Sequence, residues 1–166
     1  LPDRLDLLAA AEAGRELHGR IVLASLERVT PLLVSPAGEL QVAMQLGRDP
    51  GGTYRLSGSI RGNLILQCQR CLEALPWPLD VEFRLGLVRS REAAERLARG
   101  YEPLLVTAEP ACVADIVSDE VLLALPFAPV HEDPGECHGL YKDYQPSNDA
   151  QRENPFAVLA GLKQKQ

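Results

Sequence analysis

The sequence has no surplus of positive charge: 17 Lys and Arg stand against 23 Asp and Glu, a formal charge of −6. Affinity for nucleic acid comes mostly from cations neutralising phosphates, so a chain this acidic is no general nucleic-acid binder. Any RNA contact would need a local basic patch working against a repulsive average field. A basic protein partner suits the charge balance at least as well. Nor is there an apolar run near the ~20 residues that cross a bilayer, or a charged segment leading into an apolar one as in a secretory signal. The expectation is a cytoplasmic protein that uses no membrane, with Cys68, Cys71, Cys112 and Cys137 reduced. A disulfide framework is then the weaker reading of these cysteines, and thiolate chemistry or burial the stronger.

Aromatic residues are only 5% of the chain, and the three histidines, His18, His131 and His138, have no nucleophile pattern beside them. A Gly-rich phosphate loop, G-x-S-x-G and H-E-x-x-H are all missing. The chain therefore reads as a non-enzyme with no catalytic residues and no small-molecule substrate. Asp115, Asp119 and Glu120 read as the solvated side of a helix rather than a carboxylate site.

What is present suffices for one domain. At 166 residues with 46% apolar and 24% charged, the chain can bury a core and is not wholly disordered. The fold class expected is α+β: an antiparallel sheet around a long β-hairpin, with two or three short helices and a mobile C-terminal tail. Residues 1–131 read as the single domain, 132–153 as a polar flexible linker rich in Pro and Gly, and 154–166 as a short amphipathic segment.

The hairpin is the clearest local signal. From Tyr54 the even positions Leu56, Gly58, Ile60, Gly62, Leu64, Leu66 and Cys68 alternate with Arg55, Ser57, Ser59, Arg61, Asn63, Ile65 and Gln67. Leu75, Trp77, Leu79, Val81, Phe83, Leu85 and Leu87 repeat the pattern on odd positions. Period-two alternation of this length means strands with one buried and one wet face. Pro76 and Pro78 fall near the start of the second strand, where an edge tolerates them. Earlier, Leu17, Gly19, Ile21 and Leu23 predict a strand, as do Leu40, Val42, Met44 and Leu46; Leu26–Val34 stays ambiguous. Helices are expected from about Leu5 to Ala13 with Asp3 as cap, from Ser90 through Arg99 with Gly100 as stop, and from about Asp115 to Pro126. Leu104–Val106 reads as a further strand. Asn154 and Pro155 open a last helical segment carrying Phe156, Val158, Leu159 and Leu162.

Two features bear on function. Cys68 and Cys71 have the C-x-x-C spacing that brings two thiolates onto one ion, and His131 and Cys137 could complete a tetrahedral set of three sulfurs and one nitrogen, for which zinc is the metal. The other reading makes Cys68 and Cys71 small buried turn residues with no ion, and half a motif leans that way. Thiol redox use fits poorly, since that C-x-x-C opens a helix and this one lies in a hairpin link. Cys112 has no other ligand type near it. The second feature is a polar strip across the sheet from Arg55, Arg61, Arg70, Arg84 and Arg20 that could contact phosphates. Asp80 and Glu82 cancel part of its charge and it lacks aromatics for base stacking, which favours an ordinary solvated face.

The stretches "CQRCLE" (Cys68–Glu73), "YEPLLV" (Tyr101–Val106), "DIVSDEVLLALPFAPVH" (Asp115–His131), Cys137 and "NPFAVLAGLK" (Asn154–Lys163) together resemble the YceD family, also called DUF177. They occur in the family's order and spacing over nearly the whole chain; the N-terminal stretch matches more loosely, and Cys112 departs from the pattern. The resemblance implies a cytosolic bacterial protein, with relatives in plastids, that serves synthesis, processing or stability of 23S rRNA without catalytic activity. It makes Cys68, Cys71, His131 and Cys137 site candidates. It leaves two kinds of partner: a 23S rRNA precursor met by the arginine face, or a basic large-subunit ribosomal protein held by the acidic surface. Phe156 and Leu159 would anchor either partner in its groove.

Overall fold

The structure, a computed structural model, describes residues 1–137. In chain order its elements are β1 (Arg4–Leu5), α1 (Leu7–Glu12), β2 (Glu16–Val22), β3 (Glu39–Arg48), β4 (Tyr54–Gln67), β5 (Ala74–Val88), α2 (Arg91–Glu95), β6 (Glu102–Leu105), β7 (Ala111–Cys112) and α3 (Val113–Ala124). Strands β2 to β6 form one five-stranded sheet in sequence order, antiparallel except for the parallel β5–β6 pair; β1 and β7 pair separately. The class is α+β, as the alternation predicts. Among the described residues no helix is long and apolar enough to cross a membrane. Phe156 and Leu159 lie outside the described residues, as does the stretch from 138 onward.

The β4–β5 register explains why the hairpin holds. It sets apolar residues opposite one another on one face, Leu56 against Leu85, Ile60 against Val81 and Leu64 against Trp77. On the other face it sets Arg61 against Asp80 and Ser57 against Arg84. A slip of one residue would exchange the faces, so burial fixes the pairing. Pro76 and Pro78 lie on β5 before β6 joins at Leu85, so the strand has a free edge there and no ladder bond is lost.

One face of the sheet carries the core. Leu40, Val42, Met44 and Leu46 of β3 join the hairpin's Leu56, Ile60, Leu64, Phe83 and Leu85. Helices α1 and α3 lie over them, through Leu7, Ala10 and Ala11 and through Val113, Ile116, Val117 and Val121. The ambiguous stretch after β2 proves to be part of this cover. It folds into two 3-10 turns, Leu23–Ser25 and Thr30–Leu32, and inserts Leu23, Leu26 and Val29 fully into the core. Thr30 Oγ1 closes the bend by donating to the Leu26 carbonyl at 2.9 Å. Each such buried side chain contributes ~1.5–3 kcal/mol relative to exposure.

Helix ends differ from expectation where tertiary pairing competes. Asp6, not Asp3, caps α1, its carboxylate accepting from the Leu8 and Ala9 amides at 3.1 and 3.0 Å, because Leu5 is held in a strand against Ala111. Ser90 caps α2 as predicted, but the helix stops at Glu95, short of Arg99, leaving residues to reach the parallel β6. α3 starts two residues early, at Val113, directly out of β7.

Glu120 is a correction of another kind. With Asp115 and Asp119 it was expected on a solvated face, yet it lies beside Ile116, Val117 and Val121 on the buried side of α3, 7% exposed. Burial, with repulsion from Glu102 and Asp119, raises its carboxyl above the ordinary value of 4.5. A carboxyl raised in the folded chain favours folding when protonated, and that contribution is lost as pH rises through the folded value. Glu120→Gln should therefore stabilise the fold at neutral pH by about 1 kcal/mol. The gain should shrink as pH falls toward 4.5 and below, where both states are protonated. Thermal melts of the two chains across that range check the sign.

Candidate metal centre

The turn between β4 and β5 spans Cys68 to Glu73 and is wound tightly. The Cys68 amide donates to the Glu73 carbonyl and the Leu72 amide to the Cys68 carbonyl, both at 2.9 Å. Closing it puts Leu72 at φ 63, the sole positive φ of a non-glycine among the described residues. A side chain in this region is strained, and such outliers persist where the surroundings over-determine them. Here the constraint is the pair of cysteines, whose side chains the turn directs inward to the same point.

Two further segments meet the turn. Pro126 ends α3, the chain bends at Phe127 and Ala128, and the Pro129 carbonyl accepts from the Gln69 amide at 2.8 Å. His131 follows two residues on. A 3-10 turn at Pro134–Glu136, steadied by the Asp133 carboxylate accepting from the Gly135 amide at 2.7 Å, then delivers Cys137. The donor atoms of Cys68, Cys71, His131 and Cys137 all lie within 4.8 Å of one another, and all four residues are buried. His131 Nδ1 stands 3.5 Å from Cys71 Sγ and 3.6 Å from Cys137 Sγ. Tetrahedral zinc with bonds of about 2.3 Å to sulfur and 2.0–2.1 Å to nitrogen requires N···S edges of about 3.6 Å. The donor set fits the ion. With four protein ligands and no open position, it is of the structural rather than the catalytic kind.

The electrostatics suit an ion as well. Burial works to raise the Cys68 thiol, but the amides of Cys71, His131 and Arg70 donate to its sulfur and bring it down to about 5. Burial pushes the Cys71 thiol up, and its sulfur neighbours Cys68 and Cys137 push the same way. Three sulfurs crowded out of water cannot all ionise without a cation among them. Arg70 supplies part of it: Nε donates to Cys137 Sγ at 3.0 Å and Nη2 to the His131 carbonyl at 3.0 Å. That sulfur contact raises the Arg70 guanidinium further, against its own partial burial. Three thiolates holding a divalent ion would leave one negative charge, which Arg70 is placed to neutralise. Leu75 packs within the cluster, and the half-buried Trp77 packs against both it and the main core.

The arginine strip divides. Arg20, Arg55, Arg61 and Arg84 do share the open sheet face, but Arg70 is turned away to the cysteines. Arg61 pairs with Asp80 at 2.8 Å, Arg20 with Glu39 at 2.7 Å, and Arg55 bonds Ser57 at 2.9 Å. A shallow depression of about 390 Å³ runs between His18, Arg20, Gln41, Ser59 and Arg61. Cys112 is half-buried in β7, away from the cluster. Sequence reasoning missed the part played by Arg70, whose only signal was its place between the two cysteines. It also missed Phe127 and Leu123, both exposed beside the end of α3.

A sheet with one open face, and a hairpin turn closed on a second segment by three cysteines and a histidine, define a small α+β protein with a candidate structural metal centre. The chain belongs to the YceD family: the family model described as "Large ribosomal RNA subunit accumulation protein YceD" matches residues 56–163. It is also similar to the protein of that name from Haemophilus influenzae, 31% identical over 170 residues covering 99% of this chain and 97% of that protein. No solved structure matches it.

Proposed function

We propose that this chain is a cytoplasmic, non-enzymatic ribosome-biogenesis factor acting in the synthesis, processing or stability of 23S rRNA. It does so with a zinc ion on Cys68, Cys71, His131 and Cys137. The closed, buried donor set carries the metal part of this reading. Bound zinc would supply a crosslink rather than chemistry, tying the tip of the hairpin to the segment after α3. The reading of the role follows the name of the Haemophilus influenzae relative.

The partner that the surface favours is a basic large-subunit ribosomal protein. The chain carries −6 overall, and Glu39 and Asp80 already engage two of the four arginines on the open face. Among the described residues that face offers no aromatic platform for bases. Direct contact with precursor rRNA keeps one observation in its favour: neither Arg55 nor Arg84 has a carboxylate partner within 4.0 Å among the described residues.

A pair of measurements separates these. The purified chain should leave 23S rRNA fragments unshifted in a gel at moderate salt, while a tagged chain should co-purify with one cationic ribosomal protein. A strong RNA shift that weakens steeply with salt would move the assignment to direct RNA binding. Normal 23S rRNA levels in a strain deleted for the gene would remove the function altogether.

A further inference from the structure

Between α3 and β6 lies a cavity of about 310 Å³ that the metal centre and the open face do not involve. Its walls are largely apolar, with Leu85, Leu104, Ile116, Leu122 and the exposed Leu123 among them, and Arg28 lines it as well. Three carboxylates border it. Asp119 is paired with Arg28, but Glu102 and Glu120 have neither an ion pair nor a side-chain hydrogen bond among the described residues. Glu120 is 7% exposed. No enclosed side-chain oxygen lacks a partner among the described residues, so the unpartnered Glu120 carboxylate is not sealed in but opens to the cavity it lines. Helix α3 thus turns an acid inward at a position where its neighbours Ile116, Val117 and Val121 are all apolar.

We infer that this cavity receives the side chain of a lysine from a protein partner, its aliphatic stem against Leu104, Leu122 and Leu123 and its ammonium at Glu120 with Glu102 beside it. The chemistry selects this occupant. A buried, unpaired carboxylate costs free energy that a cation recovers. The apolar walls suit four methylenes, and the compact ammonium suits a single unpartnered carboxylate. A bare divalent ion fits less well. Among the described residues the only group of three or more acids, histidines or cysteines whose donor atoms converge within 4.8 Å is the cysteine and histidine one. Glu102, Asp119 and Glu120 are spread too far for one small ion but not for a side chain entering between them. This deepens the reading of the chain as an adaptor for a basic protein, since it names a place where one of that protein's lysines is held.

The test uses the full-length, metal-loaded chain and defined probes. Isotope-labelled protein is titrated with Nα-acetyl-lysine methylamide and, separately, with its norleucine counterpart, which keeps the stem and lacks the charge. Amide shifts confined to Glu102–Leu104 and to α3 from Ile116 onward are expected with lysine, and binding at least about tenfold weaker with norleucine. Glu120→Gln should weaken lysine binding at least about tenfold, and Leu123→Ser, a change at an exposed position, should weaken it several-fold. Equal response to both probes, undiminished lysine binding by Glu120→Gln, or shifts scattered over the acidic surface would each overturn the inference. Because the probes are free amino-acid derivatives, a failure here is distinct from a failure to co-purify a ribosomal protein.

Discussion

Cys71→Ala should purify without zinc, where the unaltered chain carries close to one equivalent, and should lose several kcal/mol of stability. Structural zinc sites contribute their binding free energy to folding because no preformed site exists in the unfolded chain, on the order of 10 kcal/mol in finger peptides. The loss here should be smaller and local. The main core of β3, β4, β5, α1 and α3 is a separate group of buried residues from the cluster of Cys68, Cys71, Leu75 and Cys137, with the half-buried Trp77 packed against both. The sheet should therefore stay folded while the tip opens: the amides of Cys68, Gln69 and Leu72, now bonded to Glu73, Pro129 and Cys68 carbonyls, should lose protection from hydrogen exchange. His131→Cys provides the control, since a fourth thiolate keeps a tetrahedral set. It should retain the metal. Elemental analysis beside thermal melts with and without chelator reads the result, and a native, folded sample free of metal would end the assignment.

The second large effect comes from a single methyl group. Gly58→Ala is expected to destabilise the chain by roughly 2–4 kcal/mol, beyond the typical cost of a glycine replacement. Gly58 sits in the middle of β4, opposite Phe83, and a Cβ there would stand 2.3 Å from the Ala43 carbonyl oxygen and 2.6 Å from Phe83 Cζ. The phenyl ring could turn aside, but the carbonyl belongs to the neighbouring strand and can move only if the β3–β4 ladder moves with it. Phe83→Leu in the same chain should accordingly restore little. Gly47→Ala is the matched control: it lies on β3 with its nearest neighbour, the tip of Arg55, 4.0 Å away, and should cost well under 1 kcal/mol. Denaturant unfolding of the three variants distinguishes them.

The two effects mark different levels of legibility. Alternation over Tyr54–Cys68 and Leu75–Leu87 was enough to read β4 and β5, because a half-buried strand writes its faces into every second residue. The Ser90 cap and the stop at Pro126 were legible for the same local reason. The cap of α1 was not: Asp3 and Asp6 are chemically alike, and the pairing of Leu5 with Ala111, far off in sequence, decided between them. Leu26–Val34 carried no period because it is neither helix nor strand, and its apolar residues fill a gap that exists only once the sheet is covered. Glu120 looked like a surface acid because a helical face is assigned from its majority, and that face is defined here by β6 and Arg28.

By itself the sequence determined an acidic α+β chain built on a long hairpin, with a C-x-x-C in the link and two further ligand types downstream. Strand periodicity, turn residues and ligand spacing are local properties, and local properties can be read along the chain. Only the tertiary structure decided that half a motif gathers a full set of four donor atoms. Cys68 and Cys71 are separated from His131 and Cys137 by about sixty positions, and what brings their donors within 4.8 Å is the return of the chain past α3 to the hairpin tip. It also decided which arginine serves the sulfurs and which acid faces inward, because both depend on what lies across a gap and not on what comes next in the chain.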